Sequence, residues 1–218
     1  PDSAARMQEV QTTLSKSISA LGTSGQTSFA TDIAPQLVSK TFALATANRD
    51  KFAVDVNTES TVTSFYDNMM QGAIDGVARL GSTSQSAAAA ASSAILSKTM
   101  DAAVSSMNTI YTASGAGTPT MSANLLKSIP TRASQAVGEK LANVLPPDDL
   151  NGAFAAVTSQ YIYNVQSVAA QKAANVDMSD LSKSITADSL ATFSGAWNAN
   201  PADMQTAVTA LNNRLGVI

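Results

Sequence analysis

The hydrophobic residues recur at intervals of three and four along most of the chain, which places them on one face of an α-helix. A last helix is predicted with Asn200 as its cap and Pro201 as its first residue. No stretch alternates apolar and polar residues for long enough to predict a strand. The predicted fold is therefore all-α, a compact bundle of about eight amphipathic helices with no β-sheet. The longer helices are predicted near residues 2–21, 31–47, 57–80, 84–113 and 148–174.

Each predicted helix has an apolar stripe that we expect to face the core. The stripes contain aliphatic, methionine and aromatic residues at helical spacing, and polar residues occupy the opposite faces. The predicted inward residues include Met7, Leu14, Ile18, Phe42, Val62, Phe65, Met69, Leu96, Met100, Phe154, Tyr161, Met204, Val208, Leu211 and Leu215.

Proline and hydroxyl residues interrupt the helical pattern in the second half of the chain. Pro130 is expected to separate or kink two helices near 122–128 and 131–145, since proline lacks the backbone N–H of a helix interior. Residues 179–196 are expected to form one broken helix or two short ones.

A glycine-, proline- and hydroxyl-rich segment at 114–121 is predicted to be a linker or loop. It divides the chain into an N-terminal helical half, 1–113, and a C-terminal helical half, 122–218. The two halves are either separate units or parts of one continuous domain.

A frame of the form apolar–x–Lys–hydroxyl–apolar occurs five times. Successive lysines of the frame are 24, 58, 29 and 56 residues apart, close to one or two multiples of about 28, and such regularity is typical of degenerate helical repeats. The alternative is that lysine between apolar i and i+4 positions is a common helix surface in a serine-rich chain. The five lysines are Lys16, Lys40, Lys98, Lys127 and Lys183.

The composition excludes several kinds of chemistry. Ala, Ser and Thr account for 89 of the 218 residues, and 13% of residues are charged, against about 25% in a typical soluble domain. There is no Cys and no His, which excludes thiolate nucleophiles, imidazole bases, zinc sites and disulfides. We therefore expect no catalytic, cofactor-binding or metal-binding residues and no enzymatic activity. An enzyme that uses only carboxylates and lysine is the remaining catalytic alternative.

Charge and hydropathy limit the partners. The net charge is −3 and the basic residues are scattered singly, so we expect neither nucleic acid nor an anionic membrane as a partner. The longest apolar run, 87–91, is far shorter than the roughly 18–20 residues of a membrane span. The chain begins at Pro1 without a leader-like segment, which suggests a processed product or a piece of a longer protein.

Two polar motifs have a functional and a structural interpretation. Asp148 and Asp149 are candidate ligands for a hard cation, but the residues that follow do not match a calcium loop. Capping of a helix at Asp148 is the favoured interpretation. Gly115 and Gly117 are candidate phosphate-binding glycines, and the favoured interpretation is a linker.

Three further features concern apolar or small residues. Trp197 is a candidate platform for a sugar or a partner, or a core anchor for the last helices, which is favoured. Met69 and Met70 suggest an adaptable binding groove or, preferably, core filling. Gly72 and Gly76 have the small-xxx-small spacing that permits close approach of two helices.

The chain has a distinctive composition and sequence texture. It combines Ala/Ser/Thr-rich amphipathic helices, hydroxyl–glycine linkers and an alanine run between Ser86 and Ser93. This texture, without Cys or His, resembles that of the helical repeat modules of spider silk proteins. Such modules in wrapping and attachment silks are globular, helical and joined into long concatemers. The chain lacks Gly-Gly-x and long poly-Ala blocks, and its charge content points to attachment (pyriform) silk as the most similar type.

The resemblance implies a structural role. The chain would be a soluble repeat unit that associates with neighbouring copies of itself into an extracellular fibre or adhesive, without a cofactor or a small-molecule ligand. The alternative is a bacterial secreted or surface helical protein, of the flagellin, translocator or granule-coating kind, that acts through helix-mediated interaction.

Overall fold

The predicted all-α fold is confirmed by a computed structural model, which describes residues 2–23, 28–113, 120–172 and 176–217. Within these residues there are eight α-helices and no strand. A π-helical turn, Phe29–Ile33, precedes the second helix and a 3₁₀ turn, Arg49–Phe52, follows it. The helices are α1 (Ser3–Thr23), α2 (Ala34–Ala47), α3 (Glu59–Thr83), α4 (Gln85–Ala113), α5 (Ala123–Leu141), α6 (Pro147–Lys172), α7 (Met178–Trp197) and α8 (Pro201–Val217).

Short polar side chains begin the first and last helices as the sequence predicts. The carboxylate of Asp2 accepts the backbone N–H of Ala5 at 2.7 Å. The amide oxygen of Asn200 accepts the backbone N–H of Asp203 at 3.0 Å, and Pro201 is the first helical residue. Both caps satisfy donors that have no partner within the first turn.

The helices form two layers, an odd layer of α1, α3, α5 and α7 and an even layer of α2, α4, α6 and α8. The extensive contacts join neighbours within a layer, helices of one hairpin, or helices of adjacent hairpins. The chain is therefore a stack of four helical hairpins, the arrangement found in α-solenoids. Its accessible surface of 9459 Å² is about that of a compact protein of this mass.

Neighbouring helices within a layer run in the same direction. Asp67 pairs with Arg132 at 3.3 Å and Asp75 pairs with Lys140 at 2.6 Å, with 65 residues between the partners in both pairs. Equal steps along α3 and α5 mean that the two helices are parallel. Paired positions also advance together along α1 and α3 (Gln11–Gly72, Ile18–Gly76), α5 and α7 (Lys127–Asp188, Gly138–Ala196), and α4 and α6 (Ser93–Gly152, Asp101–Gln160).

Glycines lie where the parallel helices approach most closely, as the Gly72–Gly76 spacing predicts. A Cβ on Gly76 would lie 2.8 Å from the Cβ of Ile18. A Cβ on Gly138 would lie 2.7 Å from the carbonyl oxygen of Phe193. These separations are too short for any side chain, so the spacing of the odd layer depends on glycine at these positions.

The hydrophobic core is one cluster that contains residues from both predicted halves of the chain. Helix α3 contacts α5, and α4 contacts α6, across the predicted boundary. The division at 114–121 stays a prediction, and residues 114–119 of that segment lie outside the described residues.

The expected break at Pro130 is absent, because α5 is continuous from Ala123 to Leu141. A proline at this position leaves the carbonyl of Leu126, four residues earlier, without its usual helical donor. The hydroxyl of Tyr161 on α6 donates to that carbonyl at 2.6 Å. A side chain from another helix thus satisfies the group that proline leaves open.

Two other expectations differ from the structure. Residues 179–196 lie within one unbroken helix, α7, rather than in a broken one. Met204 on α8 was predicted to face inward, but it is 38% exposed. Leu211 is buried as predicted, and Ala207 is buried as well. Helix α8 is the last of its layer and packs mainly against α6, so its apolar stripe is covered on one side only.

We predict that Gly76→Ala lowers the free energy of unfolding by about 2 kcal/mol, because the new methyl group overpacks the contact with Ile18. Gly195→Ala is the matched control, since a Cβ there meets nothing within 4 Å. Within a helix, alanine is more favourable than glycine by up to about 1 kcal/mol. Urea unfolding followed by circular dichroism measures both. Equal stability of the two variants would contradict the close contact.

Candidate functional site

Of the two polar motifs of the sequence, the structure describes only the acidic pair Asp148 and Asp149. Helix α6 begins at Pro147, so Asp148 lies within the first turn and is not the cap that the sequence predicted. Asp148 and Asp149 there face the positive end of the helix dipole. No group of three or more acidic residues that could hold a metal ion occurs in the part of the chain that the structure describes. Gly115 and Gly117 lie outside it.

The aromatic and methionine residues belong to the core, as the favoured interpretation holds. Trp197 is half-buried and its ring centroid lies 5.6 Å from that of Phe193. Phe193 in turn stacks on Phe154 of α6 at 4.4 Å. Met69 and Met70 are both buried on α3. Trp197 therefore anchors the end of α7 against the core.

The lysine frame follows the layers. In each of the five copies the two apolar residues are buried while the lysine is exposed or half-buried. Lys40 and Lys98, 58 residues apart, lie on neighbouring helices of the even layer, and Lys127 and Lys183, 56 residues apart, lie on neighbouring helices of the odd layer. The spacings of 58 and 56 residues thus correspond to the length of one helical hairpin of the stack.

A polar groove of about 590 Å³ lies between α2, α4 and the end of α6. Asp101 is the only carboxylate among the described residues that line it, and it accepts hydrogen bonds from the side-chain amides of Gln160 at 2.8 Å and of Asn164. Lys98 lies 3.5 Å from the same carboxylate. Its oxygens are thus used to connect α4 to α6.

Three buried hydroxyls form a chain of hydrogen bonds beside the polar groove. Thr46 donates to the carbonyl of Phe42 at 2.7 Å, so its oxygen accepts from Ser106. Ser106 accepts in turn from the hydroxyl of Tyr66 at 3.0 Å. Burial raises the pKa of Tyr66 far above its ordinary value. Every proton of the chain is used in a hydrogen bond, so the hydroxyls connect α2, α3 and α4.

The second groove, here called the end groove, has an apolar character and a volume of about 510 Å³. It lies between α1 and α2 in the first hairpin and reaches Lys51 and Phe52 in the 3₁₀ turn. Leu44 at its edge is 67% exposed, more than any other large apolar residue described. The hydroxyl of Thr41 and the amide of Asn48 donate to carbonyls of α2 itself. The end groove therefore offers an apolar contact, with the charged residues Glu9 and Lys51 also in its lining.

No protein-family model and no curated protein matches this chain. Among the described residues, none of the helices combines the length and the hydropathy of a membrane span. The arrangement of the described residues therefore has to support any proposal of function. The end groove is the surface best suited to an interaction, because it exposes apolar side chains, while Asp101 of the polar groove is paired within the molecule.

We predict that the protein loses stability above about pH 10. Burial raises the pKa of Tyr66 and of Tyr161, and it raises the pKa of Tyr111 to about 12. Below pH 10 both folded and unfolded states keep these protons; above it, only the folded state does. Each such tyrosine then lowers the free energy of unfolding by about 1.4 kcal/mol per pH unit.

Urea unfolding at pH 9, 10 and 11 measures this dependence, with absorbance at 295 nm to report tyrosinate. Tyr66→Phe should reduce the slope of the unfolding free energy against pH by the contribution of one tyrosine. A stability that is constant from pH 9 to pH 11 would contradict the burial of these hydroxyls.

Proposed function

We propose that the protein is a structural protein, a helical repeat unit of a silk-like extracellular fibre or adhesive that associates with neighbouring copies of itself. The observation that carries this proposal is the stack of hairpins with an apolar groove at its open end. A stack whose parts contact only adjacent hairpins has no internal limit to its length. Such a unit is suited to serial connection.

The surface supports the same role. Threonine and serine hydroxyls on the helices donate to carbonyls of their own helix, as Thr109 does to Ser105 at 3.0 Å and Thr209 does to Gln205 at 2.8 Å. The surface is therefore polar enough for solubility, while its low charge gives little repulsion between copies. These properties favour storage at high concentration followed by assembly.

The first prediction concerns the parent chain. If the protein is a silk repeat unit, full-length transcript or protein sequencing will find tandem, nearly identical copies of the 218-residue unit. The physical reason is that a fibre protein gains tensile continuity from covalent repetition of its modules. A single copy behind a secretion signal would contradict the silk proposal and favour the bacterial secreted or surface protein.

The second prediction concerns the response to mechanical stress. Shear combined with dehydration should convert part of the helical structure to intermolecular β-structure, because extended Ala-, Val- and Thr-rich segments pair readily between chains. Infrared spectra in the amide I region, before and after shear, measure the change. Dehydration without shear is the control. An unchanged helical spectrum after shear would count against this assembly mechanism.

A further inference from the structure

The two terminal hairpins differ from the inner ones in how tightly their helices pair. Contacts between α3 and α4 and between α5 and α6 are extensive, whereas those between α1 and α2 and between α7 and α8 are sparse. Each inner hairpin has a neighbour on both sides, and each terminal hairpin has one. The open faces of the stack are therefore at α1–α2 and at α7–α8.

The end groove lies on the open face of the first hairpin. Phe42 of α2 is buried and lines the polar groove beside α4. At about 100° per residue, Leu44 lies about 200° around the helix from Phe42, so it points away from α4. Leu37 and Val10, also in the end groove, are only half-buried. The first hairpin thus has an apolar face with no neighbour.

The opposite end of the stack also has a partly covered apolar stripe. Met204 of α8 is 38% exposed, and Val208 and Leu215 are half-buried. Arg214 lies in the sequence between the buried Leu211 and the half-buried Leu215. No ion pair described in the structure includes Arg214. Burial lowers the pKa of Arg214, as expected for a guanidinium partly removed from water without a carboxylate partner.

We propose that the α8 face of one copy docks into the end groove of a second copy, so that the two-layer stack continues from one copy to the next. The α7–α8 hairpin then has the α1–α2 hairpin of the next copy as its neighbour. The exposed side chains of Leu44 and Met204 are buried in the contact. This inference rests on the proposed self-associating function and names its surface.

The direction of the helices selects a head-to-tail contact. Every contact between layer neighbours traced within the molecule is parallel. A head-to-tail stack keeps this direction, because α8 lies beside α2 of the next copy in the even layer. A two-fold symmetric pair would instead bring antiparallel helices together. The head-to-tail contact joins two different surfaces, the α8 face and the end groove, so it is heterologous. Such a contact adds copies one after another without closing into a symmetric pair.

The charges fit the same arrangement. In a parallel contact, the C-terminal end of α8 lies near the C-terminal end of α2 and therefore near the N-terminal half of the antiparallel helix α1. This places Arg214 on the side of the end groove that contains Glu9 and Lys51. Glu9 is an exposed carboxylate that no described ion pair includes, so it is the group that can pair with Arg214 across the contact. If copies are covalently joined, their effective concentration is in the millimolar range, so a weak contact is sufficient.

The experiment is sedimentation of the 218-residue chain over a concentration series, with Leu44→Glu and Met204→Glu as end variants. Wild-type protein should form oligomers that grow with concentration without a fixed size. Each end variant should raise the dissociation constant at least tenfold, because a charge replaces a buried apolar contact. Tyr163→Glu is the matched control: Tyr163 is 54% exposed on α6, away from both ends, and its variant should associate as the wild type does.

Sedimentation of a mixture of the two end variants is the decisive measurement. The Met204→Glu copy keeps an intact end groove and the Leu44→Glu copy keeps an intact α8 face, so together they should form a one-to-one dimer and nothing larger. A two-fold contact between end grooves would let Met204→Glu dimerise alone, which would overturn the proposal. Circular dichroism confirms that each variant is folded.

Two further outcomes separate this inference from the proposed function. Wild-type association that neither end variant weakens would overturn the end contact and leave the self-associating role intact. Wild-type protein that stays monomeric at millimolar concentration would also overturn the end contact, and the tandem-copy test would then decide the silk proposal independently.

Discussion

The close approach of parallel helices is the constraint on which the rest of this structure depends. Ridges of side chains normally keep helix axes 8–10 Å apart, and here glycine removes the ridge at the tightest points, Gly76 against Ile18 and Gly138 against Phe193. Alanine fills much of the remaining core, as at Ala73 and Ala91. A core of small residues needs few aromatic anchors, which is why 5% aromatic content is sufficient for a chain of this length.

The hydroxyl residues that dominate the composition act mainly within their own helices. A threonine that donates to the carbonyl four residues earlier uses its only proton locally, so it presents lone pairs to its surroundings and competes little for external partners. The polar surface is thus hydrated but weakly interacting. The described threonines with this bond are Thr41, Thr46, Thr83, Thr99, Thr109, Thr131, Thr186, Thr192, Thr206 and Thr209.

The sequence was sufficient to predict the helices and most of their inward faces, because periodicity and capping are local properties. It was not sufficient at Pro130, where the hydroxyl of Tyr161 from another helix satisfies the open carbonyl, nor at Met204, whose exposure depends on how many neighbours α8 has. The end groove was also beyond prediction. Val10 has the helical spacing of core residues and Leu44 lies on the same face of α2 as Leu37, and only the order of the hairpins leaves this face without a cover.

The register between hairpins explains where interaction surfaces occur in this fold. Polar partners on layer neighbours are separated by 59–65 residues throughout, from Thr46 with Ser106 to Asp75 with Lys140. Each hairpin therefore repeats the same contacts with the next one, and its apolar faces are covered by the hairpins on either side. Only a terminal hairpin lacks one of these neighbours. A helical stack of this kind therefore leaves an apolar face uncovered at each of its two ends.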